Sequence, residues 1–85
     1  MESVVVNVRT DRCDVYVGRP SKWGNPFVIG RDGNRKEVIV KYEAWVLGEV
    51  ELLRCLPELA GKKLGCWCAP QPCHAEVLKE LVDSW

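Results

Sequence analysis

The chain predicts a small α/β domain, a short mixed sheet of about three to four strands with helices packed on it. Three observations carry this. Two β-branched runs open the 85-residue chain. Two apolar stripes at helical spacing follow. Between the stripes lies a third strand-like run, which a cysteine-rich junction joins to the second stripe. A strand reached through a helical crossover usually runs parallel to the one it left. No repeat or composition break divides the chain, so residues 1–85 read as one domain.

The elements follow in order. "SVVVNV" (residues 3–8) is a β-branched run and reads as a buried strand. "CDVYVG" (residues 13–18) alternates, with Cys13, Val15 and Val17 on one face and Asp14 and Tyr16 on the other. The link "RTDR" is short enough for a hairpin, so the two strands are expected to pair antiparallel. "GRPSKWGNPFVIGRDG" (residues 18–33) holds four Gly and two Pro and reads as loop, with a short extended piece at "FVI". A loop this long in so small a domain tends to be functional.

Asn34 and Glu37 stand in the capping-box relation and start a helix. Val38, Ile39, Tyr42, Trp45 and Val46 form its apolar face, and Gly48 ends it. "EVELLRCLPELA" continues as a second helical stretch that Pro57 breaks or bends, with Cys55 as a small core residue. "KKLGCWC" reads as the third strand and "APQP" breaks it. "CHAEVLKELVDSW" gives the last helix, with Val77, Leu78, Leu81, Val82 and Trp85 as its stripe.

Composition narrows the class. Hydrophobic residues at 47% and charged residues at 28% mark a globular chain, not a disordered one. A formal net charge of zero argues against a dedicated non-specific nucleic-acid binder. The charge is uneven, however. Residues 1–41 carry eight Lys and Arg against five Asp and Glu, and the remainder carries four against seven, so a local basic face is expected in the first half. No secretory pattern opens the sequence and no apolar run could cross a bilayer. A cytoplasmic setting with reduced cysteines is the expectation, and five cysteines fit a fully paired disulfide framework poorly.

Two stretches concentrate the chemistry. "GRPSKWGNPF" (residues 18–27) offers Arg19, Ser21, Lys22 and Asn25 as donors to a phosphate, and Trp23 as a surface for stacking. The plain alternative is a turn-rich connector whose Trp and Phe plug the edge of the core. "GCWCAPQPCH" (residues 65–74) holds three cysteines and the one histidine of the chain. Strand alternation puts Cys66 and Cys68 on one face with Trp67 opposite. Cys73 and His74 open the last helix, where the positive helix end and its free N–H groups favour an anion. Strand, loop and helix N-terminus is also where open α/β sheets place ligands.

Three readings of the junction stand side by side. Cys66, Cys68, Cys73 and His74 supply a zinc ligand set, with Cys13 as a substitute, although C-x-C-x₄-C-H is an awkward zinc spacing. Alternatively Cys68, Cys73 and His74 form a catalytic thiol-imidazole group, because a helix N-terminus and a neighbouring histidine both lower a thiol pKa. Adjacent helical residues do not normally face each other, so His74 serves Cys68 across the cleft more easily than Cys73. The plain reading makes the cysteines small core residues and His74 an organiser of the corner.

The stretches "VVVNVR", "CDVYVGRPSKWGNPFVIGRDG", "VIVKYEAWV" and "LAGKKLGCWCAPQPCHAEVLKEL" together resemble the family known as domain of unknown function 4326, found in phages, prokaryotes and some eukaryotes. The resemblance covers nearly the whole chain and implies no particular activity. A remoter likeness is to small Rossmann-like proteins that end a strand with Cys and open the next helix with Cys-His-Arg, here Cys68, Cys73 and His74. Ala75 stands in place of the arginine. This likeness implies a Rossmann-like strand-loop-helix at the junction.

The function expected is a ligand-handling domain, an enzyme or its remnant. It takes a phosphate-bearing small molecule or nucleic-acid end between residues 18–27 and 66–74. Arg19, Ser21, Lys22 and Asn25 hold the phosphate, Trp23 stacks, and Cys68, Cys73 and His74 line the reacting side. The alternative is a non-catalytic, zinc-stabilised module that meets a protein or nucleic acid. A phage accessory protein acting by contact with a host protein is a third. None of these involves a membrane.

Overall fold

The computed structural model describes residues 2–69 and 71–84. Strand β1 is Val4–Asn7 and β2 is Val15–Tyr16. Helix α1, Arg35–Val46, leads to α2, Val50–Cys55, and a 3-10 turn at Leu56–Leu59. Strand β3, Lys63–Cys66, is followed by helix α3, His74–Asp83. The small α/β domain expected from the sequence is present. Trp85, placed on the last apolar stripe, lies outside the described residues.

The sheet order is β1-β3-β2, and both pairings are parallel. The antiparallel hairpin and the mixed sheet are therefore corrected. β3 inserts between the first two strands and pairs Val4 with Lys63 on one side and Val15 with Leu64 on the other. The link of residues 8–14 carries the chain back across the sheet at Gly65. A Cβ built there would stand 2.6 Å from the Cys13 Cβ and Sγ and 2.7 Å from a Val8 methyl. The missing side chain thus lets a short connection cross where parallel strands usually need a dozen residues.

Helix α1 starts as its residues dictate. Glu37 N donates to Asn34 Oδ1 and Asn34 N to Glu37 Oε1, both at 2.9 Å. Val38, Tyr42 and Val46 bury its inner face. Pro57 sits where α2 gives way to the 3-10 turn, whose Leu56 and Leu59 are buried. On α3, Ala75, Val77, Leu78 and Val82 face the core. At its far end Asp83 Oδ1 accepts from Ser3 N and Oγ, which fixes the start of the chain to the last helix. Among the described residues, no helix is long and apolar enough to cross a membrane.

Candidate functional site

A cleft of about 580 Å³ opens at the C-terminal ends of β2 and β3. That is the usual size of a small-molecule site, at the usual place in an open α/β sheet. Gly18, Arg19, Asn25 and Phe27 line one wall; Cys66, Trp67, Cys68, Cys73 and His74 line the opposite one. Arg35, Val38 and Ile39 of α1 close the side.

The loop residues divide into two groups. Arg19 reaches the cleft, its stem lying over Gly24, where a Cβ would come within 2.7 Å of the Arg19 Cγ. Asn25 also lines the cleft, but both ends of its amide are occupied. Its Nδ2 donates to the Val38 carbonyl, and its Oδ1 accepts from Phe27 N at 2.9 Å. It therefore braces the loop against α1. Ser21 makes a local turn, donating to Gly18 O at 2.6 Å. Lys22 points elsewhere and pairs with Glu58 at 3.0 Å. Trp23 is only 2% exposed, and its carbonyl accepts from the Tyr42 hydroxyl at 2.8 Å. The stacking role expected for Trp23 is corrected, since the indole is spent on the core.

The exposed aromatic is Trp67, 55% accessible on the opposite wall. Its Nε1 donates to the Tyr16 hydroxyl at 2.9 Å, and that hydroxyl donates to the Arg19 carbonyl at 2.8 Å. Tyr16 can bend back in this way because Gly18 is a glycine; a Cβ would stand 2.5 Å from the hydroxyl. The two walls are thus joined through one phenol.

At the helix start, Cys73 is the N-cap. Its Sγ accepts from Ala75 N at 3.5 Å. Its backbone is extended, and this brings adjacent side chains together: Sγ lies 3.4 Å from His74 Nδ1. The expectation that neighbours would not meet applies inside a helix and not at its cap. His74 Nε2 is 2.7 Å from the Val17 carbonyl. A carbonyl only accepts, so Nε2 carries the proton and Nδ1 turns its lone pair to the thiol. Burial holds the imidazole below its ordinary value of 6.5; the Val17 bond opposes this and nearby Arg19 adds to it.

Burial likewise pushes the Cys73 thiol far up, with its own cap bond to Ala75 only partly opposing. A helix end and a histidine are expected to lower that thiol, but desolvation outweighs the one lowering contact, the bond from Ala75 N. Two of the N–H groups at the α3 terminus are already used, since Ala75 N goes to Sγ and Glu76 N to the Cys73 carbonyl. All five cysteines are free. Among the described residues no group of three or more His, Cys, Asp or Glu side chains is arranged to hold a metal. The zinc set Cys66, Cys68, Cys73 and His74 does not fit as placed, and Cys13 sits instead over Gly65.

A family model described as "Domain of unknown function (DUF4326)" matches residues 5–84. The chain belongs to this family. Two curated proteins are similar to it. "Uncharacterized protein R718" of Acanthamoeba polyphaga mimivirus is 39% identical over 66 residues, 66% of this chain and 50% of that protein. The "Uncharacterized 12.4 kDa protein in nrdA-td intergenic region" of Enterobacteria phage T4 is 33% identical over 85 residues, 93% of this chain and 76% of that protein. The chain thus spans half the length of the mimivirus relative. No solved structure matches it.

In this DUF4326 chain, the polar and aromatic cleft residues that sequence reasoning misses include Tyr16, Trp67 and Arg35. Tyr16 and Trp67 looked like the outer face of their strands. Arg35 lies at the start of α1, where it donates to the Pro72 carbonyl at 3.1 Å. The uneven charge in residues 1–41 was the one available signal for it.

Proposed function

We propose that the cleft binds a nucleotide-type ligand, a phosphate attached to a planar base. The carrying observation is a pair of guanidinium groups from separate elements. Arg19 of the loop and Arg35 of α1 both line the cleft, and neither pairs with a carboxylate among the described residues. Arginine presents a planar fork of donors suited to phosphate oxygens. Phe27, Val38 and Ile39 supply an apolar wall for the base, and the Trp67 indole supplies a stacking face at the rim.

Cys73 and His74 build the wall in this reading. The buried, protonated thiol caps α3, and the neutral imidazole ties that helix to the end of β2. Binding is the role assigned, with no covalent step.

Calorimetric titration with 5′-AMP and with adenosine tests the reading. AMP is expected to bind and adenosine to bind about tenfold more weakly or not at all, the size expected of charge-assisted hydrogen bonds. Arg19→Ala should remove that difference without moving Tm. Equal binding of both ligands, or of neither, would overturn it.

A further inference from the structure

The basic track does not stop at the cleft. Arg9 lies just beyond β1, with its Cζ 5.4 Å from the centroid of the Trp67 ring. One side chain holds both partners. Asn7, the last residue of β1, accepts from Arg9 N at 2.8 Å and donates to the Trp67 and Ala69 carbonyls at 3.3 and 2.8 Å. The far edge of the indole is fixed by Tyr16. Trp67 is therefore an exposed but oriented ring, with an arginine at its face and the cleft beside it. Arg9, like Arg19 and Arg35, pairs with no carboxylate among the described residues; of the other cations without one, Arg12, Lys36, Lys41, Lys62 and Lys63, none lines the cleft or lies over the Trp67 ring.

Cation, exposed aromatic, cation is the order in which a single strand presents phosphate, base, phosphate. Sites for single-stranded nucleic acid combine such stacking faces with a positive track. A mononucleotide held by Arg19 and Arg35 would not reach Arg9, because Arg9 does not line the cleft. We infer that the ligand is the 5′-phosphorylated end of a single-stranded nucleic acid. Its terminal phosphate lies at Arg19 and Arg35, a base stacks at Trp67, and the next phosphate meets Arg9. The inference rests on the nucleotide reading above. It also suits a chain of zero net charge, which would grip one end and not coat a long polyanion.

The test is a length series on the whole chain: TMP, 5′-pTpT and 5′-phosphorylated dT4, each at several salt concentrations. The longer ligands are expected to bind about fivefold or more tightly than TMP, the gain of one charge-assisted phosphate contact at Arg9. Their salt slope should steepen by about 0.7 for the added phosphate contact. Arg9→Ala should abolish both gains and leave TMP affinity unchanged; Arg9→Gln repeats the test if the alanine variant folds poorly. If TMP binds and the longer ligands bind no tighter, the strand-end inference is overturned while the nucleotide reading stands. If Arg9→Ala weakens TMP and pTpT equally, the assignment of Arg9 is overturned. If none of the three ligands binds, both readings fall.

Discussion

The loop of residues 18–27 and the junction of residues 65–74 dispose of similar side chains in opposite ways. The loop turns its tryptophan inward and its arginine outward. The junction turns its tryptophan outward and two of its thiols, Cys66 and Cys73, inward. Residue type alone does not decide which is site and which is scaffold; the local backbone does. Trp23 follows the turn that Ser21 closes and falls into the core beneath Tyr42. Trp67 follows the last residue of β3, where the pleat sends it out opposite buried Cys66.

The sharpest way to break this contrast is to truncate both indoles. Trp23→Ala should lower unfolding free energy by about 3–5 kcal/mol, the usual cost of emptying a buried aromatic. Trp67→Ala should change it by about 0.5 kcal/mol or less yet weaken nucleotide binding. Urea unfolding measures the first quantity and titration the second. Equal stability losses would erase the distinction. A step smaller is Tyr42→Phe, which strands the buried Trp23 carbonyl and should cost about 1–3 kcal/mol by the same urea assay.

The thiol-imidazole side predicts a pH dependence. His74 titrates below its ordinary 6.5 in the folded chain, chiefly because it is buried. The unfolded state therefore binds more protons below that value, and stability should fall as pH drops from about 7 toward 5. His74→Gln should flatten the fall seen in Tm against pH. Carboxylates such as Asp83, held low by Lys79 and Ser3, also lose their contribution on acidification, but at lower pH. A milder test is Gly18→Ala, which pushes Tyr16 off Arg19 and Trp67; binding should weaken more than stability. Smallest of all, Lys22→Ala removes an exposed pair with Glu58 and should alter neither Tm nor nucleotide affinity.

Local features were legible in the sequence. The Asn34–Glu37 box, the helical stripes and the strand-loop-helix at Cys73 all depend on residues a few positions apart. Strand pairing was not. The hairpin inferred from the short link between β1 and β2 lost to an insertion of β3, whose enabling feature, Gly65, lies some fifty residues further on. A cleft does lie between the two stretches, but of the loop's cations Arg19 lines it and Lys22 does not. Arg35 joins the site only because α1 packs beside α3, and Lys22 leaves it because Glu58 is nearer.

The central claim is that the outward face of these two stretches, and not the inward one, meets the ligand. Titration of isotope-labelled protein with 5′-AMP, followed through indole and arginine side-chain NMR signals, tests it most directly. The Trp67 indole and the Arg19 and Arg35 Nε signals should move together in a saturable way, with the Trp23 indole still. Movement of Trp23 without Trp67, or no movement of either arginine at saturating AMP, would contradict it.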